Sequence, residues 1–278
     1  MGFLPLVLGA LATLNPLIGL ILMMIYSGVS LRYSISNPLN AMALFFVAPA
    51  LLALAFRSEQ TLIVSASDAV WGVGFASIIF LLALRNQRSL SASFTLAAIS
   101  IIIYGILRHL VFGKFLTLQS EQAMAELNRL LPQLYERPEM RNSLALMRQI
   151  LPASWILPQL TALFLGFLLF MLLNGIPFIW SRLSFPKYYN LLILLVLPLY
   201  LVPLLKPVFL NLLIALSLIP FIQGIGVLVH YLSRLIPSKL IMVLLIILLS
   251  LNGILIALLG FADLWLDLRK LNNGGTTA

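Results

Sequence analysis

The stretch ASWILPQLTALFLGFLLFMLLNGIPFIWS, residues 153–181, contains no aspartate, glutamate, lysine or arginine. A helix needs about 20 predominantly apolar residues to cross a hydrocarbon layer roughly 30 Å thick, because each residue rises about 1.5 Å. The stretch is also too long and too continuous for a barrel strand, which has about 10 residues of alternating polarity. It therefore predicts a membrane-spanning helix, with the lipid bilayer as its surroundings.

Composition extends this prediction to the whole chain. Of the 278 residues, 62% are hydrophobic and 9% are charged, whereas soluble proteins have roughly 45–50% apolar and about 25% charged residues. The net charge is +9, but the basic residues stand singly beside apolar runs, as membrane anchors do, so no nucleic-acid partner is predicted. The chain has no cysteine and its two histidines lie far apart, so we predict no thiol chemistry, no metal site and no cofactor.

Comparable apolar runs predict an all-α polytopic transmembrane helix bundle of about eight spans, within a single integral membrane domain that covers residues 1–278. The first run is longer than a signal-peptide core and no basic residue precedes it, so we expect it to be retained. Prolines inside the runs are expected to kink their helices, which leaves the number of spans open by one. The predicted spans are residues 3–26, 38–56, 68–85, 90–112, 153–181, 188–205, 208–233 and 240–264.

The central stretch, residues 114–151, is rich in charged residues and cannot cross a membrane. We expect two short amphipathic helices in it, one capped by Ser120 and one beginning at Pro138. Their apolar faces contain Leu127, Leu131, Leu144 and Met147. Such a connector is expected either to lie on the bilayer surface or to act as a lid or partner-docking element.

The connector divides the predicted domain into an N-terminal four-span half, residues 1–113, and a C-terminal four-span half with a short tail, residues 152–278. With eight spans, both chain ends lie on one side of the membrane. We expect that side, together with the connector, to be the cytoplasm, which places Arg269 and Lys270 opposite Arg234.

Charged residues near the ends of two predicted spans are interpreted as helix-end residues. Asp68 stands at the start of the third span, where an aspartate complements the helix dipole, so capping is favoured over ligand or proton binding. Arg108 and His109 lie in the last turns of the fourth span. There the arginine can reach the headgroups and the histidine can bond a backbone carbonyl.

Three amides lie deeper in the predicted spans and are candidates for ligand binding. Gln223 follows Pro220 in the seventh span, Asn252 lies in the middle of the eighth, and Asn174 lies in the fifth. Hydrogen bonds between helices explain such residues equally well. Both interpretations therefore remain open.

The last span ends in the polar motif GFADLWLDLR, whose role is either structural or functional. The motif residues that can carry a role are Asp263, Trp265, Asp267 and Arg269. Asp267 can pair with Lys270 three residues later, and Trp265 can anchor at headgroup level.

Asp263 lies deeper in the last span than Asp267, so its carboxylate needs a partner. A glutamine, an indole or a basic residue from a neighbouring helix end, such as Arg182 or Arg57, would serve.

This ending, together with Gln223-Gly224 and the segment Asn15-Pro16-Leu17-Ile18-Gly19, resembles the YybS-like family of bacterial membrane proteins. That family is a domain of unknown function, grouped at the fold level with the S components of energy-coupling-factor vitamin transporters. The resemblance implies a pocket for a small ligand among the helices and an energising module as a partner protein.

These observations predict a small-molecule binding or transport component of the bacterial cytoplasmic (inner) membrane. The sequence has no ATP-binding motif, so energy for transport would come from a partner protein or an ion gradient. The alternative is a scaffold that organises a membrane complex through the connector and the C-terminal helix. An enzyme is not predicted, because no acid, base or metal set converges in the sequence.

Overall fold

The computed structural model describes residues 3–34, 37–130, 143, 146–147 and 149–271. The structure is 85% helical, and these residues include no strand. We number the helices α1 Leu4–Leu14, α2 Pro16–Arg32, α3 Pro38–Ala55, α4 Gln60–Arg85, α5 Leu90–Leu130, α6 Leu151–Leu173, α7 Tyr189–Val196, α8 Lys206–Leu235, α9 Lys239–Ser250 and α10 Gly253–Leu266.

Five described helices are long and apolar enough to cross a membrane, namely α3, α4, α5, α6 and α8. A sixth span results if the bent pair of α9 and α10 crosses the membrane as one unit. The predicted helical membrane class is therefore confirmed, whereas the predicted number of eight spans is not.

The predicted first span is broken at Asn15, where the backbone is extended with φ −149°. The Asn15 side chain accepts hydrogen bonds from the backbone N–H groups of Leu17 and Ile18, at 3.1 and 3.2 Å, and so caps α2. Pro16 has no N–H to continue the hydrogen bonding of α1. The predicted sixth span is also not a continuous α-helix, because prolines follow α7 and the chain forms two 3₁₀ turns, Leu197–Leu201 and Pro203–Leu205.

The predicted eighth span is bent by 102° between α9 and α10. Asn252 lies at this bend, and its Oδ1 accepts a hydrogen bond from the Leu255 N–H at 3.3 Å, which caps α10. Beyond the bend, α8 and α10 cross with their backbones in contact. A Cβ atom added to Gly260 would lie 1.8 Å from the Pro220 carbonyl oxygen, and one added to Gly224 would lie 2.0 Å from the Ile256 carbonyl oxygen. Only glycine permits so close a crossing.

The bundle has two distinguishable ends. At the first, which we call the connector end, the Gln119 side chain donates to Thr61 Oγ1, and Asn211 donates to the Gln149 carbonyl. The second, which we call the turn end, contains the turn between α4 and α5 and the segment from residue 174 to residue 188. There Arg32 donates to the Leu173 carbonyl.

The end of α10 lies at the turn end. The Tyr231 hydroxyl donates to the Leu268 carbonyl at 2.8 Å, so α8 and α10 finish side by side. The expectation that Arg269 and Lys270 lie opposite Arg234 is therefore wrong. The bend at Asn252 returns the chain to the end at which α8 finishes.

Helix α5 contains 41 residues and is continuous through Ser120. The predicted cap at Ser120 and the separate helix that it begins are therefore wrong. Leu131, Pro138 and Leu144 of the predicted connector lie outside the described residues. Leu127 and Met147 are exposed, and their contact with lipid, like the division of the chain into two halves, stays a prediction.

Buried aromatic rings join α4, α5 and α6. The Phe94 ring of α5 lies 5.2 Å from the Phe167 ring of α6, and the Phe80 ring of α4 lies 5.1 Å from the Phe170 ring. Farther along, Tyr104 of α5 contacts Trp155 near the start of α6. The two helices therefore run antiparallel, and the first turn of α6 lies beside the middle of α5.

Candidate functional site

Asp68 lies inside α4 because that helix begins eight residues earlier, at Gln60. The predicted capping role for Asp68 is therefore wrong, and its side chain is buried in the bundle. From Asp68 to Phe75 the backbone forms a π-helix. This wider helical turn is rare and is frequently found at functional sites.

Arg108 of α5 pairs with Asp68 side-on. Its Nε donates to Asp68 Oδ1 at 2.7 Å and its Nη2 donates to Asp68 Oδ2 at 3.0 Å. The side chains of Arg108 and Asp68 are 13% and 5% exposed. The interpretation of Arg108 as a helix-end residue that reaches the headgroups is therefore wrong, because a carboxylate on the facing helix holds it within the bundle.

Two aromatic residues complete this Asp68 cluster. The Tyr104 hydroxyl donates to Asp68 Oδ1 at 2.7 Å and lies 3.0 Å from the hydroxyl oxygen of Ser67. The Arg108 guanidinium lies 5.0 Å from the centre of the Trp155 ring, which allows a cation–π interaction. Residues of α4, α5 and α6 thus hold the guanidinium in one orientation.

A cavity of about 410 Å³ opens between α5 and the start of α6, beside this cluster. Its volume is within the range of about 300–1,000 Å³ that is usual for small-molecule sites. Its walls combine apolar and polar groups, and none of the described lining residues is acidic. The lining residues are Gly105, Arg108, His109, Leu116, Gln119, Ser120, Leu151, Pro152, Ser154 and Trp155.

Two further polar groups lie beside this cavity. His109 Nδ1 is buried and has no hydrogen-bond partner within the described part of the chain. The first turn of α6 has no side-chain cap at Ile150, but Asn211 Oδ1 of α8 accepts a hydrogen bond from the Ala153 N–H at 2.9 Å and caps this helix end from a neighbouring helix. His109 was expected to bond a backbone carbonyl, and its Nδ1 makes no such bond within the described residues.

A second buried cluster joins α8 to the end of α10. Asp263 Oδ2 accepts hydrogen bonds from Gln223 Nε2 at 2.5 Å and from Arg269 Nη2 at 2.7 Å. The side chains of Arg269 and Asp263 are 0% and 2% exposed. A glutamine partner for Asp263 is therefore confirmed. The expectation of Arg182 or Arg57 as the basic partner is wrong, because Arg269 of the same motif fills that position.

The protein itself satisfies the hydrogen-bonding groups of this C-terminal cluster. Arg269 also donates to the Ser181 and Leu183 carbonyls, at 3.1 and 2.8 Å. Gln223 Oε1 accepts from the Phe185 N–H at 3.2 Å. The arrangement ties the end of α10 to the segment before α7, and ligand binding by Gln223 stays a prediction.

The side chains of the other candidate residues make contacts of their own. Asn174 donates to the Phe170 carbonyl at 2.9 Å, and Trp265 is 52% exposed beside Phe261. Asp267 ends α10 in a left-handed conformation with φ 48°, and its Oδ1 accepts from the Leu271 N–H at 2.9 Å. The structure therefore does not bring the predicted ligand residues into one site.

Asn252 lines an apolar groove of about 1,070 Å³ between α7, α8 and the bent pair of α9 and α10. The side-chain amide of Asn252 caps α10. Apart from Asn252 and Ser217, the side chains in this groove are apolar, so the groove offers little for specific recognition. Among the described residues, no three histidines or carboxylates lie close enough to hold a metal ion.

Sequence reasoning did not predict the pairing of Asp68 with Arg108. The available signal was that a carboxylate and a guanidinium each stand within a long apolar run, on helices joined by a short turn. Comparison with protein-family models, with curated proteins and with solved structures found no match for this chain, so its resemblance to the YybS-like family stays a prediction.

Proposed function

We propose that this protein is a small-molecule binding or transport component of a bacterial inner membrane, with its ligand in the cavity beside the Asp68 cluster. The observation that carries the proposal is a buried ion pair at the wall of a cavity within an apolar helix bundle. Charges in such surroundings cost several kcal/mol, roughly, and commonly mark a ligand or ion pathway.

The two buried ion pairs differ in a way that supports this choice. In the C-terminal cluster, backbone carbonyls and Asp263 together occupy all three guanidinium nitrogens of Arg269. In the Asp68 cluster, no described residue accepts a hydrogen bond from Arg108 Nη1, and Arg108 lines the cavity. The first pair is therefore structural, and the second has capacity left for a ligand.

The test is to identify small molecules that co-purify with the protein. The protein is isolated in mild detergent, its small molecules are extracted, and they are identified by mass spectrometry. Ser154→Trp places a large ring in the cavity, while Thr161→Trp, at an exposed position on the same helix, is the matched control. We expect a molecule that accompanies the wild-type and Thr161→Trp proteins and is lost from Ser154→Trp. The same set of molecules in all three samples would contradict the proposal.

A second candidate function, a scaffold, is favoured by the length of α5. Its 41 residues span about 60 Å, twice the hydrocarbon thickness of roughly 30 Å, so part of the helix extends beyond the membrane. Leu118 and Leu130 are exposed on that part. A scaffold would lose a co-purifying protein in the Leu118→Glu/Leu130→Glu variant and would carry no molecule that is lost on Ser154→Trp.

A further inference from the structure

The free edge of the Arg108 guanidinium indicates what kind of ligand the cavity binds. Asp68 engages the side edge, formed by Nε and Nη2. A guanidinium has five N–H groups in a rigid plane. Both hydrogens on Nη1 and one on Nη2 therefore remain, and this end edge matches the two oxygens of a carboxylate or phosphate.

The remaining lining contributes both polar and apolar groups. Gln119 and Ser120 bring an amide and a hydroxyl group, the Ser154 hydroxyl already donates to the Leu151 carbonyl, and Leu116, Pro152 and the Trp155 ring form the apolar part. None of the lining residues in the described part of the chain is acidic, so none of them repels an anion.

We infer that the cavity binds a small amphipathic oxyanion, with its carboxylate or phosphate on the end edge of Arg108 and its apolar part against Trp155. Asp68 acts as a positioning residue. It holds the guanidinium in place and leaves the end edge free. The inference rests on the proposed function, because it names the ligand class of that same cavity.

Three probes of similar shape and different charge test this inference. Benzoate, benzamide and benzylamine carry a negative, a neutral and a positive group on the same ring. Each is added to the full-length protein in detergent, and the apparent affinity is obtained from the rise in unfolding temperature. We expect benzoate to stabilise the protein and the other two probes to do so at least tenfold more weakly. Equal stabilisation by benzamide or benzylamine would overturn the inference.

A nearly isosteric charge change in the cavity provides a second measurement. Gln119 lines the cavity and is exposed, so Gln119→Glu adds a negative charge with little risk to folding. Repulsion across about 10 Å at an effective dielectric constant of about 20 corresponds to an affinity for benzoate about tenfold weaker. Asn86→Asp, at the turn end, makes the same chemical change far from the cavity and should leave benzoate affinity unchanged. Unchanged affinity in Gln119→Glu would contradict the inference.

The natural oxyanion can be a free molecule or a lipid headgroup, and bilayers of two compositions separate these sources. The protein is placed in nanodiscs of phosphatidylcholine alone or with phosphatidylglycerol. Loss of benzoate binding with phosphatidylglycerol assigns the site to a lipid phosphate, and unchanged binding assigns it to a free anion; both results support the inference. If none of the three probes binds, but a molecule co-purifies with the wild-type protein and is lost from Ser154→Trp, the inference fails and the proposed function stands. If nothing co-purifies, the proposed function fails.

Discussion

The carboxylate of Asp263 lies 2.7 Å from Nη2 of Arg269, although only six residues separate the two positions. Asp267 makes this possible, because its left-handed conformation ends α10 and turns the chain back along the helix. Arg269 then inserts between the end of α10 and the carbonyls of Ser181 and Leu183. Within the GFADLWLDLR motif, Arg269 thus neutralises the buried charge of Asp263.

Breaking this pair is expected to destabilise the fold. Asp263→Asn leaves the Arg269 guanidinium buried without its counter-charge, which costs about 3–5 kcal/mol. Thermal unfolding in detergent and the yield of monodisperse protein should show the loss. Asp267→Asn removes the same charge at a position where the side chain is partly exposed and should change stability by less than about 1 kcal/mol. Equal stability of the two variants would contradict the structural role of Asp263.

The Asp68 and Arg108 side chains are expected to be energetically coupled. Asp68→Asn and Arg108→Gln each leave one buried charge unpaired, whereas the double variant removes both charges together. The double variant should therefore be more stable than the sum of the single changes predicts, by about 1–3 kcal/mol. Additive changes in unfolding free energy would mean that the pair does not interact.

Alanine substitutions are expected to destabilise the protein at the two glycines of the helix crossing but not at a nearby glycine. Gly224→Ala and Gly260→Ala place a methyl group against a carbonyl of the neighbouring helix, and separating the backbones costs about 1–3 kcal/mol or more. Gly253→Ala is the control, since the nearest atom to its added Cβ lies 3.9 Å away. It should be neutral or slightly stabilising. Tolerance of alanine at Gly260 would contradict the close crossing.

The charge distribution predicts that the turn end lies in the cytoplasm. The described basic residues at that end, outside the C-terminal cluster, are Arg32, Arg85, Arg88, Arg182, Lys187, Arg234, Lys239 and Lys270. Those at the connector end are Arg57, Lys114, Arg129 and Lys206. Arg137, Arg141 and Arg148 lie outside the described residues but belong to the connector by sequence, and counting them with the connector end gives seven basic residues against eight. The positive-inside rule then favours the turn end by one residue, which reverses the orientation expected from eight spans.

Single cysteines in this cysteine-free chain measure the orientation. An impermeant thiol reagent added to intact cells should label Ser58→Cys, at the connector end, and spare Asn86→Cys and Lys270→Cys. All three should react after the membrane is permeabilised. If Lys270→Cys is labelled in intact cells and Ser58→Cys is protected, the connector end lies in the cytoplasm and this prediction is wrong.

The sequence was sufficient to predict the class of fold, because long apolar runs have few other stable states. It did not predict the break at Asn252, because hydropathy averages over a window in which one capping residue has little weight. The signal was local: an asparagine directly before Gly253 can cap a new helix.

The candidate site was harder to predict than the fold. The predicted third span begins at residue 68, which places Asp68 at a helix end, whereas α4 begins at Gln60. Gln223 was singled out correctly as a buried polar residue, but its partner depended on the crossing of α8 and α10. Contacts between distant segments of this kind cannot be read from spacing along one helix.

The separations of the two ion pairs along the chain bear on how the protein enters the bilayer during synthesis. Asp263 and Arg269 lie six residues apart, so their charges can neutralise each other within a single emerging segment. Asp68 and Arg108 lie 40 residues apart on successive helices, and an unpaired charge within a spanning helix is costly. We therefore expect α4 and α5 to leave the translocon together as a helical hairpin, with the ion pair formed before lipid surrounds either helix.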